Sequence, residues 1–394
     1  MKYPRFLQGA VQWTAAAVSL ATMAPVSAQF AMEEKTYDEP TWLDSGRIDN
    51  RTEAEHEVIL GTATVERGPW MRVHVGDYNL DRASYLTFMA LDGHIQRLDG
   101  QSLPNWHYWS AKFNGTEVEV ALHVAPGDTG VYAHIDRVRA PVLQAVAAAG
   151  GETVGICHDF DDRVAFNDPR VGRISGWTGW LVSNGAVLTA GHCLGIGVGT
   201  LMEFNVPPSL PNGLQVAAAP NDQYPVSAVP IMSENSGAGE DWMVFGLNPN
   251  GVGHAHLDRG FFFMTKASPA IDTVLRVTGY GLDNTPAGPG GSFCIGGPNQ
   301  GNPCTIDANC PPGAAGQCAS ACCDPDGPAG SDPCQFNCNA ALGTQQTTTG
   351  RLDDLEDDTI EFDVDSTPGN SGGPIIWEDS SGYTIGIVTH ARLR

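Results

Sequence analysis

The sequence predicts an all-β protein built from two β-rich regions, the second of which is interrupted by a cysteine-rich insert. Its 394 residues include 47 glycines and 27 prolines, a turn-rich composition that favours short strands over long helices. Several segments alternate apolar and polar residues with a period of two, as strands with one buried face do. Hydrophobic residues make up 42% of the chain, which is enough to fill a core.

The net charge and the first 28 residues bear on the partners and the compartment of the protein. The chain carries 21 Lys and Arg against 45 Asp and Glu, a formal net charge of −24, so we expect no nucleic-acid partner. Residues 1–28 combine the basic Lys2 and Arg5 with an apolar stretch and a small-residue ending at Ala28, the pattern of a secretory signal peptide. We therefore expect secretion to the extracellular space or periplasm, and no membrane association once the signal is removed.

The first β-rich region is predicted to be a small β-sandwich-like domain over residues 63–138, after an acidic leader over 29–62. Strand patterns begin at Trp70–Val75, and the pair Asn114-Gly115 between two apolar runs predicts a hairpin. Residues 139–154 are predicted to form a linker. We find no catalytic group of residues in this region.

The second β-rich region runs over residues 155–394 and contains the insert, 284–349, which is dominated by Gly, Pro, Asn, Asp and Cys. Eight of the ten cysteines lie in this insert. An even number of cysteines in an exported chain predicts disulfides, but it does not give their connectivity. Because the cysteine spacings lack the paired C-x2-C pattern of zinc sites, we predict no metal site.

Two segments of this region contain the residue types of nucleophilic catalysis. In 180–193, two apolar strands flank an Asn-Gly turn and end at His192. In 367–376, Ser371 lies in a glycine-rich loop just before an apolar strand. A serine hydroxyl needs a neighbouring base such as histidine, and glycines let the N–H groups of Gly369 and Ser371 point at one oxyanion.

These segments resemble the two signature motifs of the trypsin-like (chymotrypsin-fold) serine peptidases. Thr189–Cys193 has the sequence Thr-Ala-Gly-His-Cys, Gly369–Pro374 has Gly-Asn-Ser-Gly-Gly-Pro, and the histidine precedes the serine as in that family. The resemblance implies a chymotrypsin-like double β-barrel and a secreted serine endopeptidase that hydrolyses proteins or peptides through an acyl-enzyme. We expect a monomer that needs no cofactor. Asn370 replaces the Asp that a freed N-terminus engages in trypsin, which places the chain nearer the glutamyl-endopeptidase-like branch.

The third member of the catalytic triad is predicted from the same resemblance. The family's acid lies between the histidine and the serine and opens an apolar strand, a pattern that Asp241 matches. Asp222 and Asp258 are the alternatives, but no comparable apolar strand follows either of them. Ser371 would then attack the carbonyl, with His192 as the base and Asp241 as the group that orients it.

The resemblance also bears on the two cysteines outside the insert. The strand before His192 lacks the cysteine that the family usually has there, so Cys193 needs another partner. Cys157 is the only other cysteine outside the insert, and a Cys157–Cys193 disulfide is therefore predicted.

Two features indicate different specificity pockets. Asp365, six residues before Ser371 and followed by Ser366, occupies the place where trypsin keeps the carboxylate that selects Lys or Arg. His390 lies in the segment where glutamyl-specific relatives keep a histidine that binds an acidic side chain. Alternatively, Asp365 is a solvated member of the acidic run 353–365, and His390 is an ordinary strand residue. The sequence does not select between these interpretations.

Other interpretations also stay open. The chain could be a catalytically inactive, peptidase-like secreted binding protein, as its large insert suggests. Residues 63–138 resemble, more distantly, the β-rich region ahead of the peptidase domain in some secreted bacterial proteins, and could be a propeptide, a folding aid or a substrate-binding module. Only 23 residues follow Ser371, so we expect either a truncated chain or an open pocket. A serine esterase of another fold is disfavoured, because those enzymes place the histidine last.

Overall fold

The computed structural model describes residues 35–142, 163–282 and 343–390, apart from short gaps, and the backbone of three strands between 292 and 320. The gaps are at 194, 210–214, 229–230, 357 and 379–381. Within these residues nearly every element is a β-strand, and the only α-helix is α1, Ala255–Arg259. The predicted all-β class is confirmed. The predicted signal peptide, 1–28, lies outside the described residues. Among the described residues, no helix has the length and apolarity to span a membrane.

The N-terminal region is a sandwich of two four-stranded antiparallel sheets. Its strands are β1 Thr36–Asp44, β2 His56–Thr64, β3 Trp70–Asn79, β4 Tyr85–Ala90, β5 Ile95–Asp99, β6 Phe113–Asn114, β7 Glu117–Val124 and β8 Tyr132–Pro141. One sheet has the order β1-β8-β3-β6, and the other has the order β2-β7-β4-β5. Alternate residues from both sheets meet in one apolar core, so the sandwich buries one face of each sheet.

The sandwich begins earlier than the sequence predicted. Residues 29–62 were expected to be a loose leader, but β1 pairs with β8 and β2 pairs with β7 over their full lengths. Tyr37 and Leu43 of β1 pack against the core. The residues between them alternate between exposed and partly buried positions. The acidic residues that made this segment look like a leader lie largely at the exposed positions of a strand with period-two burial.

The predicted hairpin at Asn114-Gly115 is also wrong. The turn itself is present, and Gly115 has a φ of 100°. However, β6 pairs with β3, whereas β7 pairs with β2 and β4. The chain therefore crosses from one sheet to the other at this turn. The reason is that β7 is paired on both edges when it lies between β2 and β4, whereas a hairpin with the edge strand β6 would pair it on one edge only.

The second region contains two further antiparallel sheets. Its strands up to residue 279 are β9 Val164–Ala165, β10 Val171–Ile174, β11 Trp177–Leu181, β12 Ala186–Thr189, β13 Leu201–Glu203, β14 Gln223–Pro225, β15 Met232–Asn235, β16 Asp241–Gly246 and β17 Val274–Gly279. After the three insert strands, β18 Ser292–Ile295, β19 Pro303–Cys304 and β20 Gln317–Ser320, come β21 Gln346–Leu355, β22 Ile360–Phe362, β23 Pro374–Trp377 and β24 Tyr383–Ile387.

The first of these sheets closes into a barrel. Its strand order is β14-β13-β10-β11-β12-β16-β15. A bridge between Val226 and Leu247, together with the bond from Ser227 N to the carbonyl of Gly246 (2.9 Å), joins the end of β14 to β16 and closes the ring. The second sheet has the order β22-β21-β17-β23-β24, with β9 paired to β21. This arrangement agrees with the chymotrypsin-like double-barrel class that the sequence predicted.

The insert contributes a small three-stranded sheet in the order β19-β18-β20. It ends earlier than predicted, because residues 346–349 already belong to β21. The predicted insert disulfides lie outside the described residues, since no side chain of the insert is described.

A buried ionic network joins the sandwich to the first barrel. The Oε2 atom of Glu203 lies 3.1 Å from Nζ of Lys112 and 3.3 Å from a terminal nitrogen of Arg173, and Oε1 accepts the N–H of Ala218 (3.1 Å). Burial alone would raise the pKa of Glu203, but the charges of Lys112 and Arg173 outweigh it and lower the pKa. Next to this network, the side-chain amide of Gln223 exchanges two 2.8 Å hydrogen bonds with the backbone of Lys112. The two regions therefore contact each other through buried charged and polar groups.

We expect Glu203→Gln to lower the free energy of unfolding by about 3–5 kcal/mol, because it leaves two buried cations without their carboxylate. Since the folded pKa of Glu203 lies below its unfolded value, near 4.3, the wild-type contribution is present above that pH and is lost as the pH falls through the folded pKa. Urea unfolding of both proteins at neutral and acidic pH measures this. The control is Glu378→Gln. The side chain of Glu378 is 37% exposed, so its ion pair with Arg276 should contribute less than about 1 kcal/mol. Equal losses for the two variants would contradict the prediction.

Candidate active site

The pairing of β12 with β16 brings His192 and Asp241 together. Thr189, the last residue of β12, lies opposite Met243. In an antiparallel pair, each step forward along one strand corresponds to one step backward along the other. Asp241, two residues before Met243, therefore faces the turn that contains Gly191 and His192. Asp241 is the first residue of β16, as the apolar pattern after it predicted.

Gly191 is required for this turn. A Cβ atom on Gly191 would lie 1.8 Å from the carbonyl oxygen of Glu234 and 2.9 Å from that of Trp242. The turn before His192 therefore passes directly over the backbone of the β15–β16 hairpin, and any side chain at position 191 would push it away.

The His192–Asp241 contact has the geometry of an oriented imidazole. Nδ1 of His192 lies 2.6 Å from Oδ2 of Asp241, and the backbone N–H of His192 donates to Oδ1 at 2.8 Å. Both residues are buried. Burial would raise the pKa of Asp241, but the hydrogen bonds and charge of His192, with a contribution from His390, lower it overall. The carboxylate is therefore held ionised, with both oxygens directed at His192.

The other ring nitrogen of His192 is left without a partner. Nε2 is buried and makes no hydrogen bond with any residue in the described ranges. Trp177 packs edge-on against the same ring, with ring centroids 5.3 Å apart. Because Nδ1 faces Asp241, Nε2 is the only ring nitrogen that can accept a proton from another group.

Ser371 lies in the loop 367–373, which we call the serine loop, and the loop packs against the first barrel. The carbonyl of Ser371 accepts the N–H of Thr178 (3.1 Å), and the N–H of Gly372 donates to the carbonyl of Val388 (2.7 Å). A Cβ on Gly372 would lie 2.0 Å from Oγ1 of Thr189, three residues before His192. The structure thus brings the serine loop next to the histidine, but without a hydrogen bond between Ser371 and Nε2 of His192.

The predicted oxyanion residue Gly369 lies in a conformation that favours glycine. It has a φ of 100°, and a Cβ there would be 2.6 Å from the carbonyl oxygen of Tyr280. Its own carbonyl accepts the hydroxyl of Thr178 at 2.8 Å. The position of Gly369 is therefore fixed from both barrels, although its role in binding an oxyanion stays a prediction.

Thr178 is a residue of the candidate site that the sequence analysis did not reveal. Its hydroxyl donates to the carbonyl of Gly369 and accepts the N–H of Tyr280 (2.8 Å), while its carbonyl accepts the hydroxyl of Thr189 (2.7 Å). Thr178 is fully buried. It connects the first barrel, the serine loop and the end of β17. The only sequence signal was its position, in the strand before His192 where the family usually has a cysteine.

We expect Thr178→Val to lower the free energy of unfolding by about 1–3 kcal/mol, because a buried carbonyl and a buried N–H lose their partner while the volume is unchanged. Thr178→Ser, which keeps the hydroxyl, should lose less than the valine variant. Thermal or urea unfolding of the two variants measures the difference. If serine proves as destabilising as valine, the hydroxyl is not the group that matters.

Of the specificity candidates, His390 lies beside the His192–Asp241 pair. Its Nδ1 is 3.7 Å from Oδ2 of Asp241, and its ring centroid is 5.8 Å from that of His192. Burial lowers the pKa of His390, against the opposing charge of Asp241. Asp365 and Ser366 are 2% and 5% exposed. The alternative that Asp365 is a solvated member of an acidic run is therefore wrong, and the specificity roles stay predictions.

The predicted Cys157–Cys193 disulfide falls partly outside the described residues and stays a prediction. Cys157 is the residue outside those ranges, while Cys193 is described as a buried free thiol. The thiol packs 3.5 Å from Oγ1 of Thr189, and burial raises its pKa to about 12. At neutral pH Cys193 is thus a small, uncharged core residue below the histidine.

The two alternative acids are engaged elsewhere. Asp222 accepts from Asn205 (2.9 Å) and pairs with Arg259, and Asp258 accepts the hydroxyl of Tyr224 (3.0 Å). Both of these side chains bond to groups other than His192, so Asp241 is the acid that the fold places there.

The chain matches no protein-family model, and no curated protein matches it. A solved structure of a Glu endopeptidase in complex with MPD is similar to it with a TM-score of 0.37 and 12% sequence identity. The similarity covers 60% of this chain and 92% of that chain.

Proposed function

We propose that this protein is a secreted serine endopeptidase. One observation carries the proposal: a buried carboxylate holds His192 by Nδ1 and leaves Nε2 without a partner, next to a glycine-rich loop that contains a serine. Export follows from the predicted signal peptide. The proposed substrate is a protein or peptide, and the proposed enzyme is a monomer that needs no cofactor.

The reaction begins when Oγ of Ser371 attacks the carbonyl carbon of the scissile peptide bond. Nε2 of His192 takes the hydroxyl proton, and Asp241 stabilises the imidazolium that forms. The N–H groups of Gly369 and Ser371 donate to the oxyanion of the tetrahedral intermediate. When the C–N bond breaks, His192 gives its proton to the leaving amine and an acyl-enzyme remains. A water molecule, deprotonated by His192, then hydrolyses the ester and regenerates Ser371.

The test is covalent labelling of the full chain with a fluorophosphonate, followed by digestion and mass spectrometry. We expect one adduct, on the peptide that contains Ser371, together with inhibition of casein cleavage in proportion to labelling. An adduct on another residue, or casein cleavage that persists in the fully labelled protein, would refute the proposal.

A second candidate function is that of a non-catalytic, peptidase-like binding protein. The observation in its favour is that Ser371 is 0% exposed and that His192 makes no hydrogen bond to it. A peptide-library digest separates the two functions. Cleavage by the wild type that is absent in Ser371→Ala supports the enzyme, whereas no cleavage by a folded wild-type protein supports the binding protein.

A further inference from the structure

Arg163 is a buried cation next to the serine loop that the proposed mechanism does not use. It is 3% exposed and directly precedes β9. Val164 and Ala165 of that strand pair with Thr347 and Gln346 of β21. The backbone at Arg163 is therefore anchored to the second sheet, and its side chain extends toward the serine loop.

The guanidinium of Arg163 closes a network with the first residue of that loop. One terminal nitrogen donates to Oγ1 of Thr367, and the other donates to the carbonyl of Leu282 at 3.2 Å. The hydroxyl of Thr367 donates to the same carbonyl at 2.7 Å. Leu282 in turn donates its N–H to the carbonyl of Pro368 at 2.7 Å. Thus Thr367 and Pro368 are both held by one set of hydrogen bonds that begins at Arg163.

These bonds continue into the turn that contains Ser371. The N–H of Asn370 donates to the carbonyl of Thr367 (3.0 Å), and the N–H of Gly373 donates to that of Asn370 (2.8 Å). A Cβ on Gly281 would meet Thr367, Asn370 and Arg163 at 2.3, 2.6 and 2.7 Å. Three polar side chains therefore converge on a glycine that leaves them room. Oδ1 of Asn370 is buried there without a hydrogen-bond partner among the described residues.

We infer that Arg163 is a positioning residue that fixes the serine loop in the shape that binds the oxyanion. The inference rests on the proposed function. Trypsin shapes the corresponding loop with a freed N-terminus that pairs with the Asp before the serine, but Asn370 cannot form that ion pair. Here the guanidinium of Arg163, which needs no cleavage of the chain, bonds to the loop through Thr367. Arg163 touches neither substrate nor the reacting atoms.

The test compares Arg163→Met, Arg163→Lys and the control Arg170→Met in steady-state peptide hydrolysis. Arg170 pairs with Asp168 and stacks on Phe262, so its loss removes a guanidinium that does not contact the serine loop. We expect kcat of Arg163→Met to fall roughly 100-fold, because a displacement of about 1 Å in a catalytic loop has an effect of that size. KM should change less than about threefold. Arg163→Lys should recover part of the loss, and Arg170→Met should keep its kcat.

The pH profile separates positioning from general damage. The apparent pKa of the acidic limb of kcat/KM should be the same in Arg163→Met and the wild type, since His192 and Asp241 are untouched. If Arg163→Met does not fold, Thr367→Val removes the same contact and should also lower kcat. A kcat within about twofold of wild type in both folded variants would overturn the inference while leaving the proposed function intact. A wild type that neither labels nor hydrolyses peptides would instead refute the function.

Discussion

Ser371→Ala should lower kcat/KM for peptide hydrolysis roughly 10⁶-fold, because the variant keeps the binding surface but has no nucleophile. The overall fold should survive, because alanine differs from serine by one hydroxyl oxygen and because the bond from the Thr178 N–H to the carbonyl of residue 371 uses backbone atoms. Progress curves with a fluorogenic peptide measure the loss. Thermal unfolding should show that the variant is folded, so that the loss is chemical.

The matched control for this substitution is Ser233→Ala. Ser233 lies on the exposed strand β15 of the first barrel, where a lost hydroxyl should change kcat/KM by less than about twofold. If Ser371→Ala retains more than about a tenth of wild-type activity, the nucleophile is elsewhere and the assignment of Ser371 is wrong.

Asp241→Asn should lower kcat roughly 10⁴-fold. Oδ2 of Asp241 accepts the Nδ1 proton at 2.6 Å, and Oδ1 accepts the backbone N–H of His192 at 2.8 Å. An amide has only one oxygen, so its NH₂ group must face one of these two donors. Either the backbone bond is lost or the imidazole takes the tautomer with the proton on Nε2, in which it cannot accept the proton of Ser371.

Asp222→Asn and Asp258→Asn are the controls for this prediction, because they were the alternative acids in the sequence. Both side chains bond to groups outside the His192 site, so kcat should stay within about threefold of wild type. A larger kcat loss in either control than in Asp241→Asn would show that the wrong carboxylate has been assigned.

The parts of the fold and site that could be predicted are those that depend on local pattern. The Asn184-Gly185 turn between β11 and β12 and the apolar strand after Asp241 are visible in a few consecutive residues. Once β12 and β16 are neighbours, strand register brings His192 to Asp241. The fold class followed from the same short alternating segments, because period-two burial is a property of individual strands.

The parts that could not be predicted depend on which distant segments meet. Thr178 and Arg163 act on the serine loop from residues roughly 200 positions away in the chain, and nothing in their local sequence indicates that contact. Likewise, composition made 29–62 look like a leader, although β8 and β7 give its strands their partners. The acidic neighbours of Asp365 left open that its side chain is solvated, yet the fold buries it.

The proposed mechanism requires Ser371 and His192 to act as one catalytic unit. A crystal structure of the full chain after reaction with a fluorophosphonate tests it directly. We predict a phosphorus–Oγ bond at Ser371, with Nε2 of His192 within about 3 Å of Oγ or of the phosphonyl group. An adduct on another residue, or a His192 ring that stays outside hydrogen-bond range of a phosphonylated Ser371, would refute the mechanism.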